Sequence, residues 1–510
     1  ERPDTYIGSV EPCELEDVWV CDLKDNFINK NINVSIGFYN VFNEVLTNSA
    51  DQCPRTRAYF KKDKTVQVTK IIKIDIDYKT GIFTIYNDGD GIPVKEHDEK
   101  KVMIPELIFG TLLTSSNYGN DSKKTWGGKN GLGAKLCNIY SSEFIVETVD
   151  HRRGKKFKQI WENNMTEPKK KAKITSCSGK AYTKITFLPE YSRFGMPNGL
   201  KGDIIDLIRK RVYDVAGCTP RDVSVYFNGN KLEVKDFPQY VEKYIGKQKD
   251  LMRVYEKPNP NWEVIACASP DGTFKQVSIV NGLCTINGGK HVDHVANIIS
   301  KELTTKINGK KGSKQGGVKT THVKNNLWVF VNSLIVNPSF SSQTKETLTT
   351  PISKFGSKCD LSPDFIKKLS KTEIVDRAKM MKSFHDKSGL NKTDGKKSKS
   401  IRGIPKLDDA NWAGTKKSDQ CTLILTEGDS AKALVISGLS VVGRDKYGVF
   451  PLRGKLLNVR EASDKQITGN AEIQNLKKIL GLRQDTKTIN DLRYGKILIL
   501  TDQDRDGIHI

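Results

Sequence analysis

The sequence predicts a chain of three α/β units, on the strength of three observations. Helix and strand patterns alternate in the N-terminal part of the chain. A middle region closes with an apolar stripe at helical spacing, and the C-terminal region is bounded by two short apolar runs, residues 421–425 and 496–500, that are typical of buried parallel strands. At roughly 100 to 200 residues per domain, a chain of 510 residues has room for about three or four such units.

The first unit, residues 1–231, is predicted to combine a long helix with a sheet. Ser35 can cap a helix whose apolar stripe includes Ile36, Tyr39, Phe42, Val45 and Leu46. Residues 72–78 alternate like a half-buried strand, and Thr80-Gly81 turns the chain into a second strand over residues 82–86. Asn228-Gly229 predicts a tight hairpin near the end of this unit.

The second unit, residues 232–386, is predicted to end in one helix. Ser362 and Pro363 are a good cap and first position, and the apolar stripe that follows is Phe365, Ile366, Leu369, Ile374, Ala378 and Met381. Residues 387–417 begin with a stretch rich in Lys, Gly, Ser, Asn and Asp, which predicts a flexible linker. The third unit then occupies residues 418–510, with both buried strands.

Composition excludes several classes of protein. No run approaches the ~20 apolar residues of a spanning helix, so a membrane protein is excluded. The ten cysteines are scattered without a C-x-x-C pair, which argues against a zinc site or a disulfide scaffold and favours a reducing nuclear or cytosolic compartment. A net charge of +23 favours a polyanionic partner such as nucleic acid, although solubility alone is the plainer explanation.

One face of the first predicted helix carries Glu44, Asn48 and Asp51, at positions i, i+4 and i+7. In a cleft, Glu44 can take a proton from an attacking water, the Asn48 amide oxygen can bind magnesium, and Asp51 can hold a neighbouring group. Taken alone, the same pattern also fits an ordinary solvated helix face.

Two glycine-rich segments follow. The segment from Asn87 to Pro93 comes directly after a strand, and its closely spaced glycines allow a ligand to approach the backbone, although by itself it is only a turn. The segment from Gly127 to Lys135 can direct backbone N–H groups at phosphate oxygens, with Lys129 and Lys135 adding charge. It lacks the P-loop pattern, and a simple hinge is the alternative.

These three segments, in this order, resemble the GHKL ATPases, a family that includes gyrase-like topoisomerases, heat-shock chaperones, histidine kinases and mismatch-repair ATPases. The resemblance implies that Glu44 is the general base and that Asn48 is the magnesium ligand. Asn87 stands where many members have an aspartate that binds the adenine amino group. The implied ATP-binding lid comprises Gly128, Lys129, Asn130, Gly131, Leu132, Gly133, Ala134 and Lys135.

Longer stretches are similar to eukaryotic-type DNA topoisomerase II over essentially the whole chain, namely residues 2–9, 112–118, 332–338 and 342–346. By this resemblance Ser115, Ser116 and Asn117 are ribose and phosphate contacts. Gln343 and Lys345 reach the γ-phosphate from the second unit, and Thr344 between them is also an ATP-binding residue. The glycine- and lysine-rich loop of residues 306–319 is the DNA contact, through Lys310, Lys311 and Lys314.

The third unit carries acidic residues after each of its two predicted buried strands. Glu427 follows the first, and Asp502, Asp504 and Asp506 follow the second. Because the carboxyl ends of parallel strands meet in one crevice, these side chains are expected to converge on a divalent cation. The pair of motifs resembles the Toprim magnesium site, and residues 451–455 between them also match the type II topoisomerase pattern.

The resemblance implies a fold of three parts: a GHKL (Bergerat) ATPase sandwich, a transducer domain of the ribosomal S5-like type, and an incomplete Toprim domain built on a parallel sheet. It also implies a nuclear or viral enzyme that binds Mg-ATP, forms a homodimer through its GHKL domains and closes around double-stranded DNA. The DNA-cleaving tyrosine of the family lies beyond Ile510, so DNA cleavage by this chain alone is not expected.

Two other functions remain open from the sequence. A chaperone or repair ATPase shares the nucleotide motifs but is disfavoured by the Toprim motifs. A passive DNA clamp could hold nucleotide without hydrolysing it.

Overall fold

The computed structural model describes residues 6–111, 125, 131–168, 171–247, 251–309, 317–342, 344–504 and 507, with the backbone alone for residues 167–168 and 385–392. The chain divides into two compact units. The first comprises residues 1–302 and 324–374, and the second comprises residues 303–323 and 375–510.

The strands of the first unit are, in chain order, β1 (Cys13–Cys21), β2 (Phe27–Val34), β3 (Ile71–Asp77), β4 (Ile82–Asn87), β5 (Ser141–Asp150), β6 (Lys155–Glu162), β7 (Glu167–Pro168), β8 (Lys173–Ser176), β9 (Tyr182–Pro189), β10 (Ser224–Phe227), β11 (Asn230–Lys231), β12 (Arg253–Asn259), β13 (Trp262–Ala268), β14 (Lys275–Val280), β15 (Leu283–Cys284) and β16 (Leu327–Ser333). β1 and β2 form a hairpin. The large sheet has the order β11-β10-β3-β4-β9-β5-β6-β7, with β8 paired to β6, and the smaller sheet has the order β12-β13-β16-β14-β15.

The described helices are α1 (Ile36–Lys62), α2 (Ile104–Gly110), α3 (Gly133–Ile139), α4 (Asp203–Cys218), α5 (Phe237–Ile245), α6 (Lys290–Asn308), α7 (Thr320–Asn325), α8 (Pro363–Leu369) and α9 (Ile374–Lys392), followed in the second unit by α10 (Asp429–Val442), α11 (Asp464–Gly469) and α12 (Ala471–Leu480). No described helix is both long enough and apolar enough to cross a membrane.

Helix α1 begins as predicted. The Ser35 hydroxyl accepts a hydrogen bond from the Phe38 backbone N–H at 3.2 Å, which satisfies a donor that the first turn leaves free. The buried side of α1 includes Phe38 and Phe42, and both rings contact Phe83 of the large sheet. This contact fixes one face of α1 against the sheet and leaves another for the site.

Both predicted hairpins of the first unit are confirmed. β3 and β4 pair antiparallel, and Gly81 turns between them with φ of +75°. Asn228 and Gly229 both have positive φ, 46° and 77°, as a tight two-residue turn requires. The sequence did not indicate that β10 then pairs with β3 in parallel across a long crossover.

The helix predicted from Ser362 to Met381 is two helices, so the prediction of one continuous helix is wrong. Ser362 caps α8 as expected, through a hydrogen bond from Phe365 N–H at 3.1 Å. The helix ends at Leu369 because the Thr372 hydroxyl donates to the Leu369 carbonyl at 2.7 Å, which competes with the helical hydrogen bond. The chain resumes as α9 at Ile374.

Residues 387–417, expected to be a flexible linker, are ordered. Residues 387–392 belong to α9. Further on, Ala410 and Ala413 are buried in the core of the second unit, and Gly395 N–H donates to the Leu482 carbonyl at 2.9 Å. The buried Arg493 guanidinium also donates to the Ser398 carbonyl at 2.6 Å. The prediction was wrong because backbone hydrogen bonds and a few buried apolar side chains together fix this stretch.

The second unit contains a parallel three-stranded sheet, β18-β17-β19, formed by β17 (Thr422–Thr426), β18 (Tyr447–Pro451) and β19 (Lys496–Leu500). β17 is central and mostly buried, as predicted. β19 was also expected to be buried, but it is exposed along its whole length, with Ile497 and Ile499 about half accessible (52% and 51%). Among the residues that the structure describes, it lies at the sheet edge and pairs with β17.

A buried ion pair lies in the core of the first unit. Lys210 and Asp214, one turn apart on α4, are 3.1 Å apart with side chains 8% and 1% exposed. Asp214 also accepts a hydrogen bond from the Tyr240 hydroxyl at 2.7 Å. Burial opposes the charge on Lys210, but the Asp214 carboxylate raises the Lys210 pKa overall. Each charge is therefore tolerated only because the other is present.

We expect Asp214→Asn to lower the free energy of unfolding by about 3 to 5 kcal/mol, because it leaves the Lys210 ammonium buried without its carboxylate. Urea unfolding followed by fluorescence measures this. The double variant Lys210→Met/Asp214→Asn should recover most of the loss. A single variant as stable as the parent would show that the pair is not needed.

Candidate functional site

Glu44 lies in the middle of α1, partly buried, and it contacts a residue 301 positions further along the chain. Its Oε1 accepts from the Lys345 ammonium at 2.8 Å, and the two side chains are 16% and 13% exposed. The carboxylate also lies against Gly133, where a Cβ would come within 2.0 Å of Glu44 Oε2. The structure thus brings together a carboxylate, a cation and the glycine that begins α3, all singled out from the sequence.

The other two polar residues of the α1 face differ in exposure. Asn48 is exposed, so its amide is available to a ligand. Asp51 is buried, at 5% exposure, and interacts with neighbouring groups. On the face of α1 predicted from helical spacing, the Asn48 side chain is therefore open to solvent, whereas the Asp51 side chain is shielded from it.

Asn87 ends β4 and is buried. Its Nδ2 donates to the Ser49 hydroxyl on α1, and its Oδ1 accepts from Gly89 N–H, both at 3.4 Å. Ser49 was not singled out from the sequence. Its position directly after Asn48, a predicted site residue, is the feature that could have identified it. This contact ties the β4 turn to α1.

The turn after Asn87 is positioned by hydrogen bonds to the Asp88 carboxylate and by close packing at Gly91. Asp88 Oδ1 accepts from the backbone N–H groups of Lys70 and Ile71, each at 2.7 Å. Gly91 has φ of +74°, and a Cβ there would lie 2.2 Å from the Val149 carbonyl oxygen. Glycine is therefore required at this position for both backbone conformation and space.

The lid segment is described from Gly131 onward. Gly131 has a positive φ of 63°, and Gly133 begins α3, where Leu132 and Ala134 pack against the core. Lys135, expected to offer charge to phosphate, is instead buried at 1% exposure and donates to the Gly131 carbonyl at 2.8 Å. Its ammonium therefore holds the start of α3 in place.

Lys345 has a left-handed backbone conformation, with φ of +60°. This conformation is uncommon for residues other than glycine, asparagine and aspartate. Its N–H donates to the Ser342 carbonyl at 3.2 Å, and the neighbouring Thr344 hydroxyl lies 2.6 Å from that of Ser342. This tight turn directs the lysine side chain towards Glu44.

Eleven residues that the sequence singled out fall outside the described parts of the chain: Ser115, Ser116, Asn117, Gly128, Lys129, Asn130, Gln343, Lys310, Lys311, Lys314 and Asp506.

No sequence pattern pointed to the position of Arg211. This buried residue of α4 donates from Nε to Asn43 Oδ1 at 2.6 Å and from Nη2 to the Gly282 carbonyl at 2.9 Å. Asn43 precedes Glu44, and Gly282 lies in the turn between β14 and β15. One side chain therefore connects the helix that carries Glu44 with the smaller sheet.

The acidic residues of the second unit lie at adjacent strand ends. β17 and β19 are in parallel register through Thr426 and Leu500, and Glu427 Oε2 accepts from Asp502 N–H at 3.1 Å. Asp504 Oδ1 accepts from Gly507 N–H at 2.8 Å. Within the described ranges no group of three candidate ligands is close enough to hold a metal. Hard carboxylate oxygens at this edge nevertheless have the right chemistry for a divalent cation.

Comparison with known families identifies the class of protein. Residues 33–179 match the family of histidine kinase-, DNA gyrase B-, and HSP90-like ATPases, residues 234–400 match DNA gyrase B, and residues 422–510 match the Toprim domain. The fold and the site therefore define a GHKL ATPase that continues into a gyrase B-like region and a Toprim domain. Proteins of this class use a nucleotide and a divalent metal.

Comparison with individual proteins narrows the class. The chain is similar to DNA topoisomerase 2 of Pisum sativum and of Drosophila melanogaster, at 49% identity in each case; the alignments cover 100% of this chain and 34% and 35% of those proteins. It is also similar to the solved ATPase region of Saccharomyces cerevisiae topoisomerase II, with a TM-score of 0.67, 42% identity, and coverage of 75% of this chain and 95% of that one.

The ATPase and transducer domains of Balamuthia mandrillaris DNA topoisomerase II give a TM-score of 0.69 at 39% identity, covering 76% of this chain and 95% of that one. The chain belongs to the DNA topoisomerase II family. It spans about a third of the length of the curated relatives it matches. These matches confirm the predicted family and fold class.

We expect Gly133→Ala to slow ATP turnover by on the order of 100-fold, because the added methyl group displaces the Glu44 carboxylate. Steady-state hydrolysis and nucleotide binding measure the two effects separately, and binding should change much less. Gly469→Ala is the matched control, since a Cβ at Gly469 meets nothing within 4 Å. Unchanged turnover in Gly133→Ala would mean that Glu44 can work from another position.

The burial of Lys135 predicts a pH dependence of stability. Burial lowers the pKa of Lys135 from 10.5 to about 8. Between these two values the unfolded chain binds a proton that the folded chain has released, so stability rises with pH. Relative to Lys135→Met, the parent should therefore gain thermal stability as the pH rises from about 8 towards 10.5, the two pKa values that set this window. A difference between the two proteins that does not change with pH would contradict this.

Proposed function

We propose that this chain is the ATPase and gate portion of a type II DNA topoisomerase. As a homodimer it binds Mg-ATP, closes around a DNA segment for double-strand passage, and reopens after the ATP is hydrolysed. The observation that supports this best is the 2.8 Å contact between Glu44 and Lys345, in a chain similar to DNA topoisomerase 2 from end to end.

Glu44 acts as the general base. Its position on α1, one turn from the exposed Asn48, supports a role next to a bound phosphate. Lys345 is close enough to Glu44 that γ-phosphate oxygens entering this region would compete for its ammonium. Transfer of the lysine to phosphate would leave the carboxylate able to accept a proton from water, while the cation stabilises charge on the phosphoryl oxygens.

Magnesium is the divalent cation that fits the polar groups of this site. The exposed Asn48 amide oxygen is a hard ligand of the kind that magnesium prefers. When bound with ATP, the ion neutralises charge on the phosphates. A second site in the Toprim domain would use Glu427, Asp502, Asp504 and Asp506.

The remaining nucleotide contacts follow the resemblance. Asn87 Oδ1 accepts from Gly89 N–H, and its second lone pair can accept from the adenine amino group. Ser115, Ser116, Asn117, Gln343 and Thr344 would contact the ribose and phosphates, together with the glycine-rich segment of residues 128–135.

The proposed partners are a second copy of the chain and double-stranded DNA. Lys310, Lys311 and Lys314, in a loop rich in glycine and lysine, would contact phosphates without sequence preference. The relatives come from plants, animals and fungi, which favours the nucleus as the site of action.

We expect Glu44→Gln to reduce steady-state ATP hydrolysis by roughly 10²- to 10⁴-fold while ATP binding is retained, because the amide cannot accept the proton. Hydrolysis is measured with and without double-stranded DNA, and the parent rate should rise with DNA. Glu16→Gln, an exposed change on β1, is the matched control.

Parent-level hydrolysis in Glu44→Gln would refute the base assignment. Tight ATP binding without turnover in the parent would instead support a passive clamp.

A further inference from the structure

A single row of lysines and tyrosines crosses eight strands of the large sheet. The strand registers place each member directly opposite the next, and partners in register project from the same face of a sheet. From one edge to the other the row reads Lys231, Tyr226, Lys73, Tyr86, Lys184, Glu147, Lys158 and Lys173.

This row lies on the face of the sheet that is turned away from α1. The residues that alternate with it, among them Ile72, Ile74 and Ile85, are buried in the core shared with α1. Lys73, Lys158, Lys173 and Lys231 are exposed, and Tyr86 and Lys184 are half-buried. The row is therefore open to solvent.

The charge of the row is strongly positive. Its one acidic member, Glu147, is neutralised locally: it accepts from the Tyr182 hydroxyl at 2.6 Å and pairs with Lys156 at 3.2 Å and Lys184 at 3.3 Å. In the described part of the chain, no carboxylate forms a salt bridge with the exposed lysines of the row. They present free positive charge.

The tyrosines support the lysines rather than offering free ring faces. Lys73 Nζ lies 5.6 Å from the Tyr86 ring centroid and 5.8 Å from that of Tyr226. Lys156 Nζ is 5.8 Å from the Tyr182 ring, which itself packs against Tyr86. Because ammonium groups already lie over these rings, the surface suits phosphates better than stacked bases.

The spacing of the row suits a long, regular polyanion. Neighbouring strands lie about 4.8 Å apart, so successive lysines are roughly 10 Å apart over most of the row, which spans about 34 Å. That is close to one turn of a DNA duplex, about 34 Å. Further along β3, the same face of the sheet carries Asp75 and Asp77. Because these carboxylates repel anions, they confine a bound polyanion to the row.

We propose that this row binds the phosphate backbone of double-stranded DNA without sequence preference, as a surface separate from the loop of residues 306–319. The inference rests on the proposed function for its partner. An acidic protein segment is the other polyanion to consider, but its carboxylates are irregularly spaced and its apolar anchors would find no pocket in a row of lysines.

The test compares two triple variants of this 510-residue chain. Lys73→Ala/Lys158→Ala/Lys173→Ala removes three members of the row. Lys201→Ala/Lys354→Ala/Lys367→Ala removes the same charge from exposed positions elsewhere. Binding to a labelled duplex of about 20 base pairs is measured by anisotropy at several salt concentrations.

We expect the row variant to bind on the order of tenfold more weakly, and its plot of log affinity against log salt to be less steep by about 2 to 3. The control variant should keep the parent slope. Lys→Arg changes at the three row positions should retain binding, which separates a lost phosphate contact from a disturbed sheet.

The outcomes separate the two proposals. If the parent binds no DNA, both the proposed DNA partner and this inference fail. Suppose instead that Lys310→Ala/Lys311→Ala changes the affinity of the parent for DNA, while the row variant binds DNA as its control does. In that case only the inference about the row fails. Tighter binding of single-stranded DNA than duplex, lost with the row lysines, would also overturn it in favour of base stacking.

Discussion

The contact between Glu44 and Lys345 is the interaction on which the rest of the first unit depends. It joins the middle of α1 to a turn 301 residues further along the chain, and both side chains are largely shielded from water. An ion pair in such surroundings requires that both backbones be held accurately. The capped start of α1, the glycine at position 133 and the left-handed turn at Lys345 all serve this geometry.

Helix α4 supplies a second, buried link between the same elements. Arg211 donates to Asn43, next to Glu44, and to the Gly282 carbonyl in the smaller sheet. One position earlier on α4, Lys210 pairs with Asp214 in the core. Because unpaired buried charges are costly, these contacts resist separation. Movement of the smaller sheet would therefore displace α1.

Much of this site was predictable because its residues are close in sequence and their spacing matches regular structure. The α1 face, the turn after Asn87 and the start of α3 follow from helical periodicity and from glycine chemistry. The acidic ends of β17 and β19 follow from the rule for parallel strands. Errors arose where tertiary contacts override composition: Thr372 ends α8, and backbone hydrogen bonds with a few buried apolar side chains order the stretch expected to be a linker. The exposure of β19 also could not be read from its apolar sequence.

The sequence by itself determined the family, the nucleotide and Toprim motifs and most local elements, because each depends on residue types at short spacing. Only the tertiary structure decided that Lys345 reaches Glu44, that Lys135 turns inward, and that Arg211 bridges α1 and the smaller sheet. It alone placed lysines from distant strands in one row across the large sheet. These features depend on strand order and register, which the folded chain as a whole sets and no local pattern encodes.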